Sequence, residues 1–174
     1  MGGVPAFRIR PARPADGDDV VRLVRALAAF ESLPVDDDLG TRLVADAFGE
    51  RPPFGLLVAE VDGRVRGYAL FLYTYSTFRA RPSLYLEDVF VEDDVRGRGI
   101  GTALMHELAR LAVARGCARF EWSVLDWNER AQRFYRAMGA QVHREWWTCR
   151  VDGDALEKLG RVTDADGTAT RRMS

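Results

Sequence analysis

Six residues, Arg96-Gly97-Arg98-Gly99-Ile100-Gly101, stand between an apolar strand-like run and a long helical run, and they constrain the chain more than any other feature. Glycines at this density let the backbone turn sharply and approach a ligand closely. The helix that follows opens with N–H groups that lack an intrahelical partner and with the positive end of its dipole. Thr102 adds a hydroxyl, and the Arg96 and Arg98 guanidinium groups can pair with phosphate oxygens. The segment therefore suits a phosphate-bearing ligand; a plain strand-to-helix turn is the other reading of the same residues. A P-loop requires Gly-Lys followed by Ser or Thr, which the sequence lacks. A dinucleotide loop requires GxGxxG opening a parallel βαβ unit. Here Gly97, Gly99 and Gly101 give GxGxG, after strands that read as antiparallel.

The elements around this loop follow from periodicity and turn residues. Strands are predicted at Phe7–Pro11, Gly55–Val61, Val65–Tyr75, Leu84–Glu92, Ala118–Leu125 and Gln141–Val151. Asp62-Gly63 is a hairpin signal between the second and third of these. Helices are predicted at Asp16–Phe30, with Val20, Leu23, Val24 and Leu27 on one stripe, at Thr41–Phe48, at Ile100–Arg115 and at Asn128–Met138. Antiparallel strands leading into a β-α-β unit make the fold α/β with a mixed sheet. One domain is expected over residues 1–160, followed by a polar tail at 161–174. His106 reads as a surface residue, and Trp146 and Trp147 fall on opposite faces of the last strand.

The composition narrows the partners. Lys plus Arg is 25 against 26 for Asp plus Glu, a net charge of −1, without the basic excess of a nucleic-acid binder. No apolar run has membrane-spanning length, the N-terminus lacks the apolar core of a signal peptide, and Ala6 breaks the myristoylation pattern. Cys117 and Cys149 have no metal-binding spacing, so no metal is implied and a reducing cytoplasm is the expected compartment.

Two blocks carry a resemblance. Arg96-x-x-Gly99-x-Gly101, preceded by Leu86-Glu87-Asp88-Val89-Phe90-Val91, resembles the acetyl-CoA pyrophosphate loop of the GNAT superfamily. Trp127-Asn128-Glu129 through Phe134-Tyr135-Arg136-Ala137-Met138-Gly139-Ala140 resembles the helix that flanks the pantetheine arm there. Tyr85-Leu86-Glu87-Asp88-x-Phe90-Val91 is similar to the spermidine/spermine branch, which includes diamine and thialysine acetyltransferases. The resemblance runs from Phe7 to about Leu159 and implies a GNAT fold with a splayed acetyl-CoA-binding β-α unit. It implies direct acetyl transfer from acetyl-CoA to a primary amine of a small molecule, and a homodimer.

The same resemblance assigns roles. Val89, Phe90 and Val91 would meet pantetheine, with the Val89 N–H facing the thioester oxygen; Arg96, Gly97, Arg98, Gly99, Ile100, Gly101 and Thr102 would hold the pyrophosphate; Asn128 and Tyr135 would complete the cofactor contacts. An amine with a pKa near 10.4 is about 1 part in 2,500 neutral at pH 7, so a base is useful, and Glu87 matches the residue proposed for it. Tyr135 matches the acid that protonates the leaving thiolate. Glu31, Phe78, Glu87 and Asp88 would face the substrate. Read without the family, Glu87 is a solvent-facing strand carboxylate, Tyr135 is an aromatic anchor, and Phe134 is the better core residue of its helix. Strand alternation separates Glu87 from Asp88 unless a bulge re-aims one of them. Asp36, Asp37 and Asp38 read as a solvated loop and helix cap.

The acceptor stays open at this level. The acidic residues favour a polyamine or diamine. Arg79 and Arg81 depart from the polyamine pattern and suit the carboxylate of an amino-acid acceptor such as thialysine or lysine. A protein N-terminus or an antibiotic amine, and a non-catalytic acetyl-CoA-binding module, are the competing readings.

Overall fold

A computed structural model describes residues 7–161, and the chain forms two units, Met1–Ser123 and Val124–Ser174. Most of the expected tail, 162–174, lies outside the described residues.

The first unit is built on a sheet of five strands in the order β1-β2-β3-β4-β5: β1 Phe7–Pro11, β2 Gly55–Val61, β3 Arg64–Ser76, β4 Arg81–Val91 and β5 Arg119–Trp122. β1 to β4 pair antiparallel and β5 pairs parallel to β4, so the sheet is mixed as the element order implied. Asp62 and Gly63 make the β2–β3 turn with φ of 50° and 76°, the left-handed pair that a two-residue hairpin needs.

Three helices accompany the sheet: α1 Gly17–Glu31, α2 Leu39–Phe48 and α3 Ile100–Ala114. Val20 and Leu23 of α1 pack with Val58, Val65, Tyr68 and Leu70 of the sheet into one buried cluster, with Val24 and Leu27 at its edge. The spacing of these four α1 residues puts them on one stripe, and their burial is what holds α1 to the sheet. α1 ends at Ser32, which takes the left-handed conformation at φ 58°. α3 buries Ile100, Leu104, Met105, Leu108 and Ala112 against the strands, while His106 is exposed as expected. An ion-paired set pins β1 to the entry of α1: Arg10 Nη1 lies 2.7 Å from Asp16 Oδ2, and Arg10 Nε donates to Glu60 Oε2 at 2.8 Å. Asp36 and Asp38 lie exposed before α2, 2.5 and 2.6 Å from Arg42, as a solvated loop should; Asp38 holds the N-cap position but its side chain pairs with Arg42 instead of capping the helix.

The second unit holds α4 Glu129–Ala137 and α5 Gly153–Gly160. Asn128 caps α4 through its side chain, which accepts from the Ala131 N–H at 3.1 Å. Gln132, buried on α4, donates to the carbonyls of Leu125 and Asp126 at 3.2 and 2.8 Å, fastening the lead-in segment to the helix. The expected last strand is not formed. Residues 141–151 are irregular and exposed throughout, and Trp146 and Trp147 are both exposed rather than divided between two faces. Local alternation supplies a strand's side-chain pattern, but a strand exists only with a ladder partner, and among the described residues this segment has none. α5 was not expected from the sequence, although Asp152 stands at its N-cap and Leu156 and Leu159 recur at helical spacing.

Candidate active site

The site grows from the far half of β4. Pairing with β5 runs from Ser83↔Arg119 to Leu86↔Trp122 and stops there, while β4 continues to Val91. Past Leu86 the strand therefore has β3 on one side and no strand on the other. The Glu92 N–H donates to Arg66 O at 3.0 Å, which fixes the phase of the ladder. By alternation, Phe90 and Asp88 also face β3, while the main-chain groups of Val89 and Val91 face the open side. This is the geometry a pantetheine arm needs to pair as an extra strand.

A β-bulge sits at the point of divergence. Leu70 pairs with Asp88 and Phe71 with Leu86, so Glu87 is the unmatched residue of β4. An extra residue on one strand breaks strict alternation. The separation of Glu87 from Asp88 that alternation would impose is relieved, and the Glu87 charge acts on Asp88. Glu87 is exposed and Asp88 is half-buried. Burial first, then the charges of Glu87 and Glu31, push the Asp88 carboxyl up to about 6, against the opposing hydrogen bond from Tyr68. The Tyr68 hydroxyl is raised by burial first, then by Asp88, and last by the charge of Glu31 on the last turn of α1. Glu31 and Glu87 thus lie within electrostatic reach of Asp88, and Tyr68, which carries no motif, hydrogen-bonds it. Tyr68 is a fully buried β3 residue whose polar atom is the only sign of a role beyond the core.

Beyond Val91 the chain makes a short turn at Asp93–Val95 and enters the glycine loop. Gly97 and Gly99 have φ of 78° and 83°, and a Cβ at either would meet open space. The conformation, not crowding, is what requires glycine there. Gly99 is the N-cap of α3 and no side chain caps this end, so the first-turn amides point into the loop unpartnered by a cap. The residues present fit a phosphate group.

The two loop arginines divide in a way the sequence did not indicate. Arg96 Nε donates to Val91 O at 2.7 Å, its Nη1 pairs closely with Asp93, and its guanidinium lies 5.4 Å from the Phe90 ring centre and 6.0 Å from that of Phe30. It is a strut that ties the loop to β4 and to the end of α1. Arg98 is exposed, with one long hydrogen bond of 3.3 Å to Asp94 O. A second lattice of charges holds the strand end: Glu92 pairs closely with both Arg22 and Arg66, and Arg66 also reaches Asp94 at 2.5 Å.

The hairpin residues lie elsewhere. Phe78 is fully exposed at the β3–β4 turn, with Arg79 and Arg81 exposed beside it. From Arg81 to Glu87 is six strand steps, about 20 Å. Phe78, Arg79 and Arg81 thus stand at the turn end of β4, and Glu87 and Asp88 stand at the bulge further along it.

In the second unit Tyr135 is buried, 5.4 Å from the Phe134 ring, and Phe134 is the less buried of the two, the reverse of the expected packing.

A phosphate-binding helix start, a strand opened for a pseudo-strand ligand and a carboxylate cluster beside it define an acyltransferase that takes its acyl group from a coenzyme A thioester. The Acetyltransferase (GNAT) family pattern matches residues 22–140, and the chain belongs to that family. It is an N-acetyltransferase that moves an acetyl group to an amine, the family's cosubstrate being acetyl-CoA. Thialysine N-epsilon-acetyltransferase of Mus musculus is 40% identical over 164 residues, covering 87% of this chain and 96% of that protein. Spermidine/spermine N(1)-acetyltransferase-like protein 1 of Homo sapiens is 32% identical over 142 residues, 77% of this chain and 20% of that protein. An integron cassette protein from the mobile metagenome of V. cholerae has a similar structure, with a TM-score of 0.77 at 26% identity over 90% of this chain and 98% of that one.

Proposed function

We propose that the acceptor is a short aliphatic molecule carrying a primary amine and a second positive group, a diamine or polyamine before an amino acid. The observation that carries this is the β4 bulge at Glu87, next to a half-buried Asp88 on which the charges of Glu87 and Glu31 act. Such carboxylates attract an ammonium chain, and among the described residues no Lys or Arg is ion-paired with them. Arg79 and Arg81 stand at the turn end of β4, where their charge acts on a polycation less strongly than it would at the bulge. A second reading, a side-chain amine of an amino acid, is favoured by the 40%-identical relative, whose name states thialysine as its acceptor.

In this reaction the amine lone pair forms the C–N bond while the C–S pair departs with sulfur. The ammonium first gives a proton to a carboxylate of the bulge, for which the resemblance points to Glu87. The Val89 N–H donates to the thioester oxygen as charge builds there. Tyr135 supplies the thiolate's proton, on the strength of its motif match. Gly97, Gly99, Ile100, Gly101 and Thr102 receive the pyrophosphate with Arg98; Arg96 keeps the loop in place beside it, and Asn128 adds a cofactor contact to its capping role. Phe78 joins only the outer end of a long acceptor.

Residues 1–160 form one acetyltransferase domain in this account, supported by a family match that crosses from Ser123 to Val124 without a break. Two free cysteines, Cys149 exposed, suit the cytoplasm. No helix among the described residues is long and apolar enough to cross a membrane. A homodimer is the assembly we expect, by resemblance; no nucleic-acid partner is expected from the charge balance.

Release of CoA thiol in the presence of putrescine, spermidine, lysine, thialysine and a dipeptide tests the acceptor. Putrescine or spermidine should give the highest kcat/KM. Turnover confined to thialysine and lysine would replace the first reading with the second, and turnover of the dipeptide alone would remove both.

A further inference from the structure

Tyr68 and Asp88 form a pair that the assigned roles leave unused. Tyr68 is fully buried in the cluster under α1, so its hydroxyl has no water to turn to. It donates to Asp88 Oδ2 across the β3–β4 ladder at 3.4 Å. Among the described residues Oδ2 is the carboxylate oxygen that the protein holds, and Asp88 is half-buried rather than sealed in the core. Asp88 therefore has one oxygen held from the protein side. Glu87, one residue before, is the looped-out and exposed member of the bulge. A solvated side chain with several rotatable bonds is a poor fixed acceptor for a proton, and a half-buried one anchored at one oxygen is a good one.

We infer that Asp88, positioned by the Tyr68 hydroxyl, takes the proton from the acceptor ammonium, and that Glu87 beside it binds the ammonium without accepting its proton. This rests on the reading that a cationic amine docks at the bulge. One proton passes from the ammonium nitrogen to Asp88 Oδ1, leaving a neutral amine whose lone pair forms the C–N bond as the C–S bond breaks. The proton still on the adduct nitrogen balances the departing thiolate, and the proton on Asp88 returns to solvent. The electrostatics agree with the geometry. Burial and the charges of Glu87 and Glu31 bring Asp88 up to about 6, so it is ionised at neutral pH and closer in basicity to the amine than an ordinary aspartate. The groups facing it are Tyr68 from β3, Glu87 from β4 and Glu31 from α1.

The signs differ for each neighbour, and this makes the test. Tyr68 lowers the Asp88 value, so Tyr68→Phe raises it; Glu87 and Glu31 raise it, so Glu87→Gln or Glu31→Gln lowers it. The acid limb of kcat/KM reports the free enzyme. The profile is measured between pH 5 and 9 with spermidine and with thialysine, so that failure of one acceptor is separate from failure of the base. The wild type should lose activity below pH of about 6, Tyr68→Phe should move this limb upward and Glu87→Gln downward, each by roughly half a unit or more. Asp88→Asn should abolish the limb and cut kcat by about 10² or more. If Glu87→Gln abolishes the limb while Asp88→Asn keeps it, Glu87 is the base and the proposal is wrong. A limb unmoved by Tyr68→Phe equally overturns the positioning role.

Discussion

Asp88 carries a charge that its burial disfavours. Its carboxyl is raised to about 6, above the value near 3.9 of an unfolded aspartate. A folded-state value above the unfolded one means that stability is lost as pH rises from about 4 through 6. Asp88→Asn should therefore raise Tm at pH 8 and leave it nearly unchanged at pH 4. A fall in Tm at pH 8, read by scanning calorimetry, would show that the charged carboxylate is paired and not penalised. Part of this site was legible as letters. Glu31, Glu87 and Asp88 stood out by type and motif, and Gly99 by its place before a helix. Tyr68 did not, because a tyrosine in an apolar strand looks the same whether or not its hydroxyl meets a carboxylate twenty residues on. The strut role of Arg96 was hidden for the same reason: Phe30 and Phe90 reach it only in three dimensions.

Elements were read well where their signals were local. The Asp62-Gly63 turn, the α1 stripe and the Asn128 cap each depend on residues within a few positions, and each formed as expected. The bulge at Glu87 depends on how many residues β3 sets against β4, which no single strand reveals. Residues 141–151 failed because alternation was taken for pairing. α4 carries its own prediction. Tyr135→Phe keeps the ring and the packing on this helix but removes the hydroxyl proton donor. We expect kcat to fall by about 10² when chemistry limits turnover, with acetyl-CoA affinity unchanged. An unchanged kcat in single-turnover kinetics would leave Tyr135 as a packing residue of α4.

For the molecule as a whole, a sheet that stops pairing at Leu86↔Trp122 is the central architectural fact. It leaves the main-chain groups of Val89 and the Val91 N–H facing an open side, with the Val91 carbonyl held by Arg96, next to a helix start without a side-chain cap. A sheet closed along its length would be better paired and would have no entry for a thioester arm. We propose that this opening and the loop at 96–101 together deliver an acetyl group to an amine. Transfer of labelled acetyl from acetyl-CoA to spermidine or thialysine, compared between wild type and Gly99→Asp, tests it most directly. Asp at this position adds a negative charge where phosphate binds and a side chain where φ is 83°. The wild type should label the amine, and its Tm should rise with acetyl-CoA; Gly99→Asp should do neither while remaining folded. A wild-type protein whose Tm ignores saturating acetyl-CoA and whose acetyl group stays on the coenzyme would contradict the account.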